Sequence, residues 1–343
     1  MTTVAEGADD THHHPAPKKR RLPIGSLEIL CALLVVAVVF QDQLASLLGS
    51  EQIRTGATKF VAVCAQAIPF LVLGVIISGA IAAFVPPSVL RKVLPRRQAL
   101  AVPVASVAGV ALPGCECASV PVSRRLIQQG VAPSVALSFL LAAPAVNPIV
   151  LVATAVAFPG NPEMVLARFL GSLATAIGMG WLWARFGKLE WMAERALRRL
   201  PDRDGRSRWL TFVETARHDL VDSGGFLVIG GLTAAVLSVA VPASWLESLS
   251  GQVVLGVIVM ALLAVILAIC SEADAFVAAS LSMLPLLPRL VFLVVGPAVD
   301  VKLVALQAGT FGKKFAFRFA PMTFLVAVVC GVVAGLVVFG GVR

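Results

Sequence analysis

Long apolar stretches separated by short polar ones run the length of this chain. Segments from about Ile24 to Leu48 and from about Lys59 to Val85 are rich in Leu, Val and Ala and show no strand alternation. Each predicts a helix that can cross a bilayer, which takes about 20 apolar residues. Gln98 to Pro113 is equally apolar but only 16 residues long, and it breaks at Pro113-Gly114. A polar stretch follows at once: Cys115, Glu116, Cys117, Ser119, Ser123, Arg124 and Arg125. Apolar sequence resumes from Val131 to Phe158, interrupted at Pro144, Asn147 and Pro148, and again from Met164 to Phe186. A charged stretch, 187–218, divides the chain. Beyond it lie a span from about Asp219 to Val241 and a run from Val253 that reaches Cys270-Ser271-Glu272-Ala273-Asp274. A segment from Arg289 to Gly309 contains Pro297, Asp300 and Lys302, and a last span covers about Ala320 to Phe339.

The two halves repeat one another. FLVLGVIISGAIAAFVPPSVL begins at Phe70, and FLVIGGLTAAVLSVAVPASWL begins 156 residues later, at Phe226. Gly74 matches Gly230, Pro86 matches Pro242 and Leu90 matches Leu246. Cys115-Glu116-Cys117-Ala118 then answers Cys270-Ser271-Glu272-Ala273 at an offset of 155, and FLLAAPAVN from Phe139 answers FLVVGPAVD from Phe292 at 153. Arg168-Phe169 against Arg318-Phe319 is a weaker match. Three collinear matches at nearly constant offset indicate an internal duplication.

Charge gives the expected topology. Basic residues gather at Lys18 to Arg21, at Arg91 to Arg97 and between Arg185 and Arg217, each beside an apolar span. That is the positive-inside pattern rather than a nucleic-acid footprint. With Lys18 to Arg21 inside, Arg91 to Arg97 also fall inside. The stretch 187–218 falls inside only if Gln98 to Gln128 enters the membrane and turns back at Pro113-Gly114. The same parity puts Lys313, Lys314 and Arg318 inside, so the first repeat starts outside and the second inside. These are inverted repeats with broken or re-entrant hairpins, an architecture typical of secondary transporters.

Composition agrees. Apolar residues make up 58% of the 343 residues, charged residues 14%, and mean hydropathy is +0.92. Soluble domains carry roughly 25% charge, so a soluble enzyme is excluded. The absence of Tyr and of alternating strands argues against an outer-membrane barrel. The expected fold is an all-α, polytopic integral membrane protein with about 7–9 transmembrane helices. Its expected parts are a cytoplasmic tail (1–22), an extra transmembrane helix (23–50), permease repeat 1 (51–186), a cytoplasmic linker (187–218) and permease repeat 2 (219–343). Localisation in the plasma membrane with a cytoplasmic N-terminus follows.

Ionised side chains inside a bilayer cost on the order of 3 kcal/mol on the mildest scales, so those in apolar segments are candidates for function. Glu116, Glu272, Asp274 and Asp300 are such residues, as are Arg124, Arg125 and Lys302. Internal ion pairing, for instance of Asp300 with Lys302, is the plainer alternative. Cys115, Cys117 and Cys270 come from the matching motifs of the two repeats and form a candidate soft metal or metalloid site. Cys31, Cys64 and Cys330 have no polar company and read as packing residues. Asn147 and Asp300 sit at helix breaks made by Pro144, Pro148 and Pro297, and offer oxygen ligands at related depths. No phosphate-binding loop is present, since Gly309 to Lys314 reads GTFGKK. No paired catalytic His or Ser–Lys set lies in the spans, so neither an enzyme nor a cofactor is expected.

CECASVPVSRRLIQQGVAPSVALSFLLAAPAVNPIV (115–150) and CSEADAFVAAS (270–280) resemble the ArsP-type predicted permeases. The resemblance covers most of the chain after residue 50. It implies a bacterial inner-membrane protein in a family where some members export trivalent organoarsenicals, a task ascribed to Cys thiols that Cys115 and Cys117 would match. The Cys-Glu-Cys and Cys-Ser-Glu-Ala-Asp-Ala-Phe forms are most similar to a subgroup described as one subunit of a two-component permease, which implies a small membrane protein as partner. Together these readings predict a permease for a small ion or solute, with a thiophilic metal or metalloid favoured. The expected partners are the lipid bilayer, that membrane protein and the solute, and no nucleic acid. The alternative is a non-transporting scaffold or sensor subunit.

Overall fold

The computed structural model describes residues 51–341 apart from 86–88, 90–93, 96, 112–115, 198–206 and 241–252. The expected tail, the first span, the Pro113-Gly114 break and Cys115 lie outside the described residues.

Every described element is a helix. In the first half these are α1 (Glu51–Phe84), α2 (Gln98–Ala108, extended by a 3-10 turn at Gly109–Ala111), α3 (Glu116–Gln128), α4 (Pro133–Val146), α5 (Pro148–Ala157) and α6 (Pro162–Phe186). A 3-10 turn (Leu189–Trp191) and a short α7 (Glu194–Leu197) lead to α8 (Arg208–Ala240). Then come α9 (Val253–Leu267), α10 (Ser271–Ser280), α11 (Leu286–Ala298), α12 (Val301–Phe311) and α13 (Lys313–Phe339). Six stretches among the described residues are long and apolar enough to span a membrane: α1, α4 with α5, α6, α8, α11 with α12, and α13. The protein is an all-α polytopic membrane protein.

The breaks expected from proline are present. Pro148 has no N–H and disfavours helical geometry at the residue before it, so Asn147 is extended (φ −71°, ψ 154°) and separates α4 from α5. Its side chain then caps α5 by accepting the Val150 N–H at 3.0 Å. Asp300 does the same in the second half, extended between α11 and α12 and accepting from the Leu303 N–H. Three spans begin earlier than expected: α1 at Glu51 rather than about Lys59, α13 at Lys313 rather than about Ala320, and α8 by the widest margin. The span expected from Asp219 begins at Arg208, inside the predicted linker. The reason is local packing, since Trp209 stacks on Phe212 and Phe212 meets Phe84 of α1, with ring centroids 5.3 and 6.4 Å apart.

Helix ends beside the described basic residues Arg97, Arg185, Lys188, Arg208 and Lys313 converge on one face. Beyond the Phe84–Phe212 contact, the Trp181 indole N–H donates to the Ala99 carbonyl at 3.1 Å, and the Ala193 N–H donates to the Phe311 carbonyl at 2.6 Å. The Arg318 guanidinium lies 4.6 Å over the Trp191 ring. Trp183, Phe315 and Phe319 pack edge-on or stacked beside them.

Two apolar cores result. One, toward the basic face, includes Leu71, Val102, Leu140, Met179, Leu227 and Phe315. The other, toward the opposite face, includes Met164, Met260, Leu287, Phe292 and Phe339. Between them α3 packs on α12 and α10 packs on α5. Helices α1 and α8 pair closely with each other, α1 lying on α3 and α8 on α12. Gly74 and Gly230 permit those last contacts, because a Cβ at Gly74 would sit 2.4 Å from the Ala118 Cα and one at Gly230 would sit 2.9 Å from the Lys302 Cα.

Candidate functional site

The short helices bring their N-terminal ends together at the junction of the two cores. Glu116 opens α3, Ser271 opens α10, Asn147 caps α5 and Asp300 caps α12. Backbone N–H groups at these ends carry partial positive charge, which favours the carboxylates placed there. Glu116 is fully buried. Its Oε1 accepts the Ser271 hydroxyl at 3.0 Å, and its Oε2 lies 3.5 Å from the Lys302 Nζ. The same ammonium lies 3.7 Å from the Asp300 Oδ2. The pairing of Asp300 with Lys302 weighed from the sequence is therefore formed, and Glu116 shares it.

A second cation sits on the other side of Ser271. Arg168, fully buried in α6, donates to the Thr154 hydroxyl at 2.7 Å and to the Ser271 carbonyl at 2.8 Å. Glu272 and Asp274 lie within range of its charge. Asp274 is 2% exposed and fits only because residue 296 is glycine, since a Cβ there would come 2.5 Å from its Oδ2. Lys302, Glu116, Ser271, Arg168 and Thr154 thus form one polar chain through the junction, contributed by both halves. Four carboxylates (Glu116, Glu272, Asp274, Asp300) face two cations (Arg168, Lys302). Both Glu272 carboxylate oxygens and the Asp274 Oδ2 have no hydrogen-bond donor among the described residues. Carboxylate oxygens without a donor are costly wherever they are buried, as the Asp274 side chain is.

Seven of the eight sequence-predicted site residues are described, and all seven lie at this junction. Cys117, in the first turn of α3, and Cys270, the residue before α10, are both buried at this junction. The third thiol of the expected set, Cys115, is outside the described residues. Among the described residues no group of three or more His, Cys, Asp or Glu is arranged to hold a metal ion. None of the four described cysteines is in a disulfide.

Sequence reasoning missed Arg168 as a site residue, although an arginine in the middle of the apolar run 162–186 is itself a signal. It also missed a latch nearer the basic face. There the Arg125 Nη2 contacts both Asp219 oxygens at 3.0 and 2.8 Å, Ser78 donates to Asp219 at 2.6 Å, and Arg124 lies 3.4 Å from Asp222. This ties α3 to α8 and α1.

With the geometry in place, similarity to known proteins carries weight. A family model of predicted permeases, the ArsP type, matches residues 52–336, which takes in every element of the junction. The chain belongs to that permease family. A protein of Streptococcus mutans, provisionally named as a subunit of a two-component membrane permease complex, is 31% identical over 282 residues, covering 81% of this permease and 94% of that protein. The UPF0718 protein YcgR of Bacillus subtilis is 34% identical over 280 residues, covering 79% and 92%. No solved structure matches the permease.

Proposed function

We propose that this permease moves a small ion or solute through the junction where both halves meet, near the middle of the membrane. The observation that carries the reading is the convergence of four half-helix N-termini on buried charged side chains. Interrupted helices of this kind build the substrate and ion sites of many secondary transporters. The sequence repeat supports two inverted halves, 51–186 and 219–343, with the basic face cytoplasmic in the plasma membrane. The paired contacts α3 with α12 and α10 with α5 are what a two-fold relation between such halves requires, because α3 corresponds to α10 and α5 to α12. The thiols Cys115, Cys117 and Cys270 support a thiophilic metal or metalloid as substrate. A second component of a membrane permease complex as partner is supported by the name of the Streptococcus relative.

Flux into proteoliposomes tests this directly, with zinc, arsenite, methylarsenite and protons as the solutes screened. Flux by the full chain alone is expected for at least one of them. Glu116→Gln abolishes it while insertion persists. Cys117→Ser and Cys270→Ser abolish it only if the solute is thiophilic, and Cys64→Ser leaves it intact. Absence of flux for every solute would favour a scaffold or sensor subunit instead.

A further inference from the structure

The two halves match in sequence, yet their equivalent helices are not equally covered. In α3 all but one of 13 residues are buried and in α12 seven of 11 are, with none exposed in either helix; Lys302 is 0% exposed. Their counterparts by repeat offset, α10 and α5, lie open. Ile149, the counterpart of Lys302, is 45% exposed, and Val152, Val156 and Phe276 are 62%, 63% and 51% exposed. The cause is the position of α1 and α8. Ala67, Leu71, Val75 and Leu227 from this pair enter the basic-face core. No described residue of either helix enters the opposite core. The pair covers α3 and α12 and leaves α5 and α10 bare.

The two-fold relation proposed above gives the pair a second, corresponding seat on α5 and α10. We infer that the arrangement described here is one of two pseudo-symmetric states, and that α1 and α8 move as a unit between them, opening the junction to one face at a time. This rests on the permease reading above. In the second state α1 lies on α5 and α8 on α10. The repeat offsets give the contacts. Phe226 against Gly309 on α12 becomes Phe70 against Val156 on α5, and Ser78 near Pro121 on α3 becomes Ala234 near Phe276 on α10.

The latch makes the two seats unequal. Arg125 and Asp219 bond in the present state, but their repeat counterparts are Ser280 and Val63, which cannot form an ion pair. The charged latch holds the basic face shut, and the opposite seat is closed by apolar contacts alone. Arg125, Asp219 and Ser78 are therefore gating residues that set the balance between states without touching solute.

Disulfide cross-linking in native membranes reads this balance. The full chain is used with Cys31, Cys64, Cys115, Cys117, Cys270 and Cys330 replaced by Ser. One pair of cysteines, Phe226→Cys with Gly309→Cys, reports the present state, and Phe70→Cys with Val156→Cys reports the other. Both pairs are expected to cross-link. Asp219→Asn should raise the Phe70/Val156 to Phe226/Gly309 ratio about tenfold, a modest bias for a buried ion pair. Ser78→Ala, which removes only the hydroxyl bond to Asp219, moves the ratio the same way by less and serves if Asp219→Asn does not fold. Complete cross-linking of Phe226/Gly309 with none of Phe70/Val156, in the parent and both variants, overturns the inference and makes the α5 and α10 face a permanent lipid surface. Neither cross-link needs substrate, so that result leaves the permease reading standing, and a lack of flux leaves the cross-links readable.

Discussion

Lys302 is the residue whose loss the structure makes most calculable. Its ammonium is fully buried, 3.5 Å from Glu116 and 3.7 Å from Asp300. At an effective dielectric of about 20, each attraction is worth about 4–5 kcal/mol, most of it offset by the cost of taking the charges out of water. Lys302→Met keeps the volume and removes the charge, leaving two buried carboxylates facing each other. Removing one member of a buried pair typically costs about 3–5 kcal/mol. At about 2 °C per kcal/mol for a chain of this size, the melting temperature of the purified protein in detergent should fall by roughly 6–10 °C. The decisive companion is Lys302→Met combined with Glu116→Gln and Asp300→Asn. Gln at 116 can still accept the Ser271 hydroxyl, and Asn at 300 can still cap α12, so only the unmatched charge disappears. This triple variant should regain more than half of the lost stability. A single variant that melts with the parent, or a triple variant no better than the single one, would refute the reasoning.

Two further outcomes follow from other parts of the molecule. With the basic face in the cytoplasm, a lone cysteine at Ser207 should resist a membrane-impermeant maleimide in intact cells, and ready labelling would reverse the topology. Gly74→Val forces a side chain into the Ala118 backbone and should cost about 3 kcal/mol, the upper end for overpacking, seen as loss of monodisperse protein in gel filtration, whereas Gly224→Ala, with nothing within 4 Å, should be tolerated.

The span pattern and the proline breaks were legible because they depend on local chemistry. A run of Leu, Val and Ala has one stable form in lipid, and Pro148 stops α4 whatever surrounds it. The junction was partly legible, because Glu116, Glu272 and Asp300 are conspicuous in apolar sequence. What could not be read was partnership between residues far apart in the chain. Nothing near Arg168 in sequence says that it meets Thr154 on α5 and Ser271 on α10, and nothing near Asp219 points to Arg125, 94 residues away. Those contacts come from long-range packing, which a periodicity analysis does not see. The start of α8 was misjudged for a similar reason. Trp209 and Phe212 look like linker residues until Phe84 is set against them.

The hydrogen bond between Ser271 and Glu116 has a consequence for ancestry. By repeat offset these two residues are each other's counterparts, so they meet where a two-fold axis relating the halves would pass. Had the halves once been separate identical chains, that point would have held the same residue twice. Two glutamates there would repel, and two serines would leave Lys302 without one of its partners. A donor facing an acceptor on such an axis requires unlike copies in fixed roles.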